Sequence, residues 1–268
     1  MLRKIFAILK KDFLIEVSYK LAFVFNIFSV VATLFTYFFI DRLFGHRMTP
    51  HLEAFGVNYF SYVLVSMAFF SYIGVGMGSF SSRIRMEQIQ GTLESLLLSP
   101  TKISTILLGM SFWNLIFATV NVFIYISLGR FLFKLDFSHI NILSTIVILI
   151  LTIISFSGLG IISASFILVF KRGNPIGWVI STLEGLLGGV YFPVSVMPDF
   201  LQLAAKFLPI TYAIRGIELA VYKGLSPSQL SQEIAFLFLF SCFLIPLSLA
   251  SFTFALRKAR KQGSLLQY

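Results

Sequence analysis

Residues 142–170 read ILSTIVILILTIISFSGLGIISASFILVF, without a single charged side chain. About 20 consecutive apolar residues cross the hydrocarbon core of a bilayer as a helix, so this stretch is long enough to span it with some tilt. Working outward, further apolar windows lie at 21–40, 57–80, 103–129, 177–193 and 234–256. Composition agrees: of 268 residues, 57% are hydrophobic and only 12% charged, and mean hydropathy is +0.91. Soluble domains carry about 25% charged residues. The sequence therefore predicts an all-α polytopic membrane protein, with six transmembrane helices in a single domain over 21–268.

Two of the segments outside the six windows are themselves partly apolar. Residues 194–225 are moderately apolar but interrupted by Pro198, Pro209 and Gly224. The expectation is a pair of short re-entrant helices, because non-helical backbone at membrane depth must be buried in protein or line a cavity. In residues 1–20, Leu2, Ile5, Phe6, Leu9, Phe13 and Val17 recur at helical spacing, with Arg3, Lys4, Lys10, Lys11, Asp12 and Glu16 mostly elsewhere around the wheel. That pattern predicts an amphipathic helix on the membrane surface; a polar extension of the first span is the other reading. A signal peptide is not expected, since charges recur through Lys20 and no small-residue cleavage site follows.

The net charge of +10 and pI near 9.8 could suggest nucleic acid, but the basic residues flank apolar runs, which is the signature of topology. With six spans, Arg3, Lys4, Lys10, Lys11, Lys20, Arg83, Arg85, Lys102, Lys171, Arg172, Arg257, Lys258, Arg260 and Lys261 fall on one side. The other side collects Arg42, Arg47, Arg130, Lys134, Lys206, Arg215 and Lys223, offset by Asp41, Glu53, Asp136, Asp199, Glu218 and Glu233. The basic side is expected to be cytoplasmic, placing both termini inside a cell membrane. The lone Cys242 excludes an intrachain disulfide.

Catalytic signatures are missing. There is no GxxxxGK[ST] phosphate loop, so this chain is not expected to hydrolyse ATP. His46, His51 and His139 fall in expected outer loops without metal-ligand spacing, so no metal site is predicted. The glycines of Gly74–Gly78, Ser157–Gly160, Gly185 and Gly189 read as points of close helix packing. Polar residues within spans are costly in lipid and face a bundle interior or a water path. Glu184, Asn114 and Asn121 are the candidates here. Each has two readings: a structural partner on a neighbouring helix, or a side chain lining a substrate pathway.

Between the second and third windows lies Glu87-Gln88-Ile89-Gln90-Gly91-Thr92-Leu93-Glu94-Ser95-Leu96-Leu97-Leu98-Ser99-Pro100, an amphipathic segment in an otherwise greasy chain. It resembles the corresponding segment of type-2 ABC exporter permeases, through Glu87, Gly91, Thr92, Leu93, Glu94, Leu96, Leu97, Leu98, Ser99 and Pro100. A second match lies at Tyr191-Phe192-Pro193-Val194-Ser195-Val196-Met197-Pro198 and at Leu208-Pro209-Ile210-Thr211-Tyr212-Ala213 with Arg215. Met197 and Ile210 stand where Leu is frequent in that family.

The resemblance implies a permease subunit that forms the substrate pathway and works as a pair, with a second copy or a homologous permease. It also implies separate ATPase subunits that carry ATP and magnesium, with no cofactor in this chain. Residues 83–100 would be the coupling helix, seated in a groove of the ATPase. Glu87 and Glu94, seven apart, would share a face toward basic partner residues, Gly91 would allow close approach, and Leu93, Leu96 and Leu97 would anchor it. Phe192, Pro193, Pro198, Pro209, Tyr212 and Arg215 would belong to the re-entrant gate. Relatives of this kind carry drug-like amphiphiles, lipids, peptides and polysaccharide precursors; the short outer loops and lack of a sugar-binding domain in this sequence lean toward a drug-like amphiphile or a lipid, with multidrug resistance as the expected context. A polysaccharide precursor, or an ATP-independent transporter or channel, are the alternatives.

Overall fold

The computed structural model describes residues 20–93, 95, 103–170 and 175–261, together with Phe6, Lys10, Phe13, Leu14 and Ser18. Among these residues the chain is all helical: α1 (Lys20–Met48), α2 (Tyr59–Ile89), α3 (Ile103–Phe131), α4 (Ile142–Phe170), α5 (Pro175–Leu187), α6 (Asp199–Ala205), α7 (Pro209–Tyr222) and α8 (Ser231–Lys261). Short 3-10 turns at Thr49–Leu52 and Val194–Val196 join them. Phe6, Lys10, Phe13, Leu14 and Ser18 are helical as well, and Phe13 packs edge-on against Trp113 of α3 at 5.6 Å between ring centroids.

Among the described residues, five helices are long and apolar enough to cross a membrane, where six were expected: α1, α2, α3, α4 and α8. The window expected at 177–193 forms only the 13-residue α5. At 1.5 Å per residue it is about 20 Å long, short of the roughly 30 Å hydrocarbon core. The helix stops where Gly188 and Gly189 adjoin the stretch leading to Pro193, residues that disfavour continued α backbone. The chain then continues as irregular backbone beside α2. Ser181 lies by Met77, Gly185 by Phe70, Gly189 by Tyr62, and Tyr191 by Tyr59, so the segment runs back toward the Tyr59 end of the bundle.

α2 is the central helix. In its apolar window 67% of residues are buried, against 11% for α1, so α1 lies at the periphery of the chain's own bundle. α2, α4 and α8 run in the same direction, and α1 and α3 run opposite. Gly76 of α2 and Gly160 of α4 set the closest fit. A Cβ on Gly160 would run into the backbone oxygens of Gly76 and Met77, and one on Gly76 would lie 2.8 Å from Phe156 Cβ. Small residues let helix backbones approach in this way where lipid supplies no hydrophobic drive. By contrast, a Cβ on Gly74 or Gly78 would meet open space.

Polar pairs fasten the other seams. Ser155 of α4 and Ser241 of α8 lie 2.7 Å apart. The Tyr72 hydroxyl on α2 donates to Thr119 Oγ1 of α3 at 2.8 Å, and the Thr119 hydroxyl in turn donates to Leu115 O at 2.9 Å. Asn26 Nδ2 of α1 donates to Asn121 Oδ1 of α3 at 2.7 Å.

Candidate functional site

The Ile89 end of α2 closes in a Schellman motif. Gln90 caps the helix, the Gly91 N–H donates to Gln88 O at 3.1 Å, and the Thr92 N–H donates to Glu87 O at 3.0 Å. These bonds satisfy carbonyls that the helix end would leave orphaned, and they place Gly91 at φ +69°. Glycine enters this left-handed region without steric cost. The expected single helix over 83–100 is therefore interrupted at Gly91. Glu87 belongs to the last turn of α2.

The side chains of the elbow also turn inward. Glu87 is only 5% exposed. Its carboxylate meets Arg83 Nε at 3.5 Å and accepts the Thr92 hydroxyl. Leu93, expected as an anchor for a partner, is fully buried in the chain's own core with Phe80, Ile84, Ile106 and Phe252. What the elbow exposes is Arg85, Met86, Ile89, Gln90, Gly91 and Thr92, with Met86 and Ile89 each at least half exposed. Glu94 and residues 96–100, Leu97 among them, lie outside the described residues.

At the Tyr59 end, the segment after α5 is stitched to α2 by tyrosines. The Tyr59 hydroxyl donates to Tyr191 O at 2.9 Å, the Tyr62 hydroxyl to Gly189 O at 2.5 Å, and the Tyr222 hydroxyl to Ser61 O at 2.8 Å. Three prolines punctuate this region: Pro193 precedes the 3-10 turn, Pro198 precedes α6, and Pro209 opens α7. Proline suits a first helical position, where its missing N–H leaves nothing unpaired. Phe192 is half-buried. Tyr212 stacks on Phe236 of α8 at 3.9 Å, and Arg215 Nε meets Glu233 Oε1 at 3.3 Å, so α7 is clasped to α8.

Three buried acids concentrate here. Glu184 on α5 and Glu218 on α7 are almost completely enclosed, as is Glu233 at the start of α8. Glu218 Oε1 accepts from the Ser66 hydroxyl at 2.8 Å, while its second oxygen and Glu184 Oε2 have no hydrogen-bond partner among the described residues. Sequence reading counted Glu218 and Glu233 among solvated outer charges and missed their burial. The signal was available on α7. Ile214 and Val221 stand four residues before and three residues after Glu218, which puts the acid on the apolar face.

Asn121 is held by Asn26, and Asn114 sits half-buried two turns away on the same helix. In the loop after α3, the Ser138 N–H donates to Asp136 Oδ1 at 2.9 Å and holds that carboxyl below its usual range. His51 and His139 are exposed, and His46 closes α1. No group of three or more His, Cys, Asp or Glu among the described residues is placed to hold a metal ion.

Long apolar helices held together by small-residue contacts and internal polar pairs define a multi-pass helical membrane protein. The profile of the ABC-2 type transporter family matches residues 3–222, most of the chain, and the chain belongs to that family. It is thus a transmembrane permease of an ABC transporter, the part distinct from the ATPase, in a family that generally pairs such permeases with ATPase subunits. No curated protein compared with the chain matches it.

Proposed function

We propose that this permease is one half of a dimeric exporter, driven by separate ATPase subunits that dock at the Gly91 elbow, and that it exports a drug-like amphiphile or lipid. ATP and magnesium bind the partner subunits. The observation that carries the proposal is the elbow. A long, buried central helix ends there in a fixed turn whose exposed surface is a small apolar patch, Met86 and Ile89, beside Arg85. A push on that patch is transmitted along α2, whose other end is bonded to Gly189 and Tyr191. The segment after α5 and the α6–α7 pair then act as the gate over the pathway, with Phe192, Pro193, Pro198, Pro209, Tyr212 and Arg215 within it.

Orientation rests on charge. Arg83, Arg85, Arg257, Lys258 and Lys261 lie at the Ile89 end of the bundle, so this end faces the cytoplasm with both termini. Docking does not require the buried Glu87 carboxylate. It needs Met86 and Ile89 instead, with residues 94–100 completing the contact.

The reading is tested in proteoliposomes containing the chain and its ATPase subunits, loaded with a fluorescent cationic amphiphile and a fluorescent phospholipid. ATP supplied at the Ile89 end should move one of these probes toward the Tyr59 end. Movement at the same rate without ATP would overturn it.

A further inference from the structure

α4 and α8 approach closely at Gly158, where an added Cβ would lie 2.9 Å from Leu244 Cβ. Further toward the Ile89 end, the same two helices frame an open groove of about 300 Å³. One wall is Ser165, Phe166 and Val169 of α4; the other is Phe254 and Ala255 of α8, with Lys258 one turn beyond. Phe166 stacks on Phe170 with centroids 4.3 Å apart, giving the α4 wall a rigid aromatic surface. Phe254 and Phe170 are each more than half exposed. The volume is at the lower end of the roughly 300–1,000 Å³ of ligand sites, suited to a length of hydrocarbon chain rather than a whole lipid.

The polarity is graded along the groove. Hydrocarbon and ring surfaces line its length, and the positive charge stands at its mouth, where Lys258 is flanked along α8 by Arg257 and Lys261, all exposed. An acyl chain laid between Phe166 and Phe254 brings its headgroup to the level of the Lys258 ammonium, and a phosphate that keeps a net negative charge complements it. A zwitterionic headgroup gains less, because its own cation competes for the phosphate. Basic pockets between membrane helices select anionic lipids by this combination. We infer that the α4–α8 groove is a binding site for an anionic phospholipid, with one acyl chain between Phe166 and Phe254 and the headgroup phosphate on Lys258. Assigning that lipid to the cytoplasmic leaflet rests on the orientation proposed above; the site itself does not.

The full chain tests this in nanodiscs of phosphatidylcholine, with Phe254→Trp as the reporter and Trp113 and Trp178 replaced by Phe. Brominated phosphatidylglycerol and brominated phosphatidylcholine are added in parallel, and quenching of the reporter gives their relative binding. The expected preference for phosphatidylglycerol is about five-fold, the equivalent of about 1 kcal/mol from one lysine at the membrane surface. Lys258→Gln should reduce the ratio to about one, and Arg257→Gln should leave most of it. Equal quenching by both lipids with Lys258 intact would overturn the assignment. So would equal loss in Lys258→Gln and Arg257→Gln, which would mean diffuse charge, or absence of quenching by either lipid, which would mean that another protein surface covers the groove. Phe170→Trp is the second reporter if Phe254→Trp folds poorly. None of these readouts depends on ATP or on transport, so failure here leaves the exporter reading intact.

Discussion

The Ser66 hydroxyl donates to Glu218 Oε1 across 2.8 Å, joining the first half of α2 to the 14-residue α7. Glu218 is fully enclosed and its other carboxyl oxygen has no hydrogen-bond partner among the described residues, so this bond anchors a group that is costly to bury. Losing the donor while keeping the acid leaves a buried acceptor unsatisfied, at a cost of about 1–3 kcal/mol. Ser66→Ala is therefore expected to lower the thermal midpoint of the detergent-purified chain by several degrees. Ser66→Ala combined with Glu218→Leu should recover much of that loss, since removing both partners together is less costly than removing one. An unchanged midpoint in Ser66→Ala would show that the bond contributes nothing to the α2–α7 contact.

Gly91→Ala forces a Cβ into a backbone held at φ +69°, a conformation that costs an L residue about 1–2 kcal/mol. The expected result is a frayed elbow, with reduced stimulation of the partner ATPase by cargo and a small loss of stability. Gly91→Asn should retain more coupling, because asparagine tolerates the left-handed region better than alanine. Equal coupling in both variants would contradict a requirement for the left-handed turn.

Gly160→Leu places a side chain into the backbone of Gly76 and Met77. Overpacking of a well-fitted core typically costs about 1–3 kcal/mol and sometimes more, and here backbone rather than a flexible side chain must move. Poor recovery of folded protein is expected, measured by size-exclusion chromatography. Gly74→Leu, where an added Cβ meets nothing within 4 Å, should be recovered normally. The contrast between two glycines on facing helices is the check.

Asn26 and Asn121 form a pair whose role is decidable. A double-mutant cycle on Asn26→Ala and Asn121→Ala should give a coupling of about 0.6 kcal/mol, the mean for interhelical bonds in a membrane protein. Cargo transport should be largely unaffected if the pair is structural. A transport defect in Asn121→Ala without a change in stability would favour the pathway reading instead.

The helical membrane fold was legible because apolar run length has few other meanings. α2, α4 and α8 lie close to where their hydropathy placed them. The fifth window misled because hydropathy reports whether residues tolerate lipid, not whether their backbone stays helical. The paired glycines and Pro193 carried that second message and ended α5 at Leu187. At the elbow, the left-handed Gly91 ends α2 at Ile89, a stop that apolar periodicity alone does not signal. The burial of Glu218 was written in the flanking Ile214 and Val221, but counting charges by loop assigned it to the outer surface. The hydrogen-bond partner of Glu218, Ser66, comes from a helix 152 residues away in the chain, and local pattern does not reach that far.

The central claim is that a separate ATPase grips the exposed face of the elbow. It is tested by purifying the tagged full chain from its native membrane, identifying copurifying proteins by mass spectrometry and measuring ATP hydrolysis in the eluate. The expected result is a stoichiometric ATPase with the natural sequence and its loss with Met86→Arg plus Ile89→Arg, while the thermal midpoint of the variant is unchanged because both side chains are exposed. Retention of the ATPase by that variant, or transport of cargo by the purified chain with no ATPase present, would contradict it.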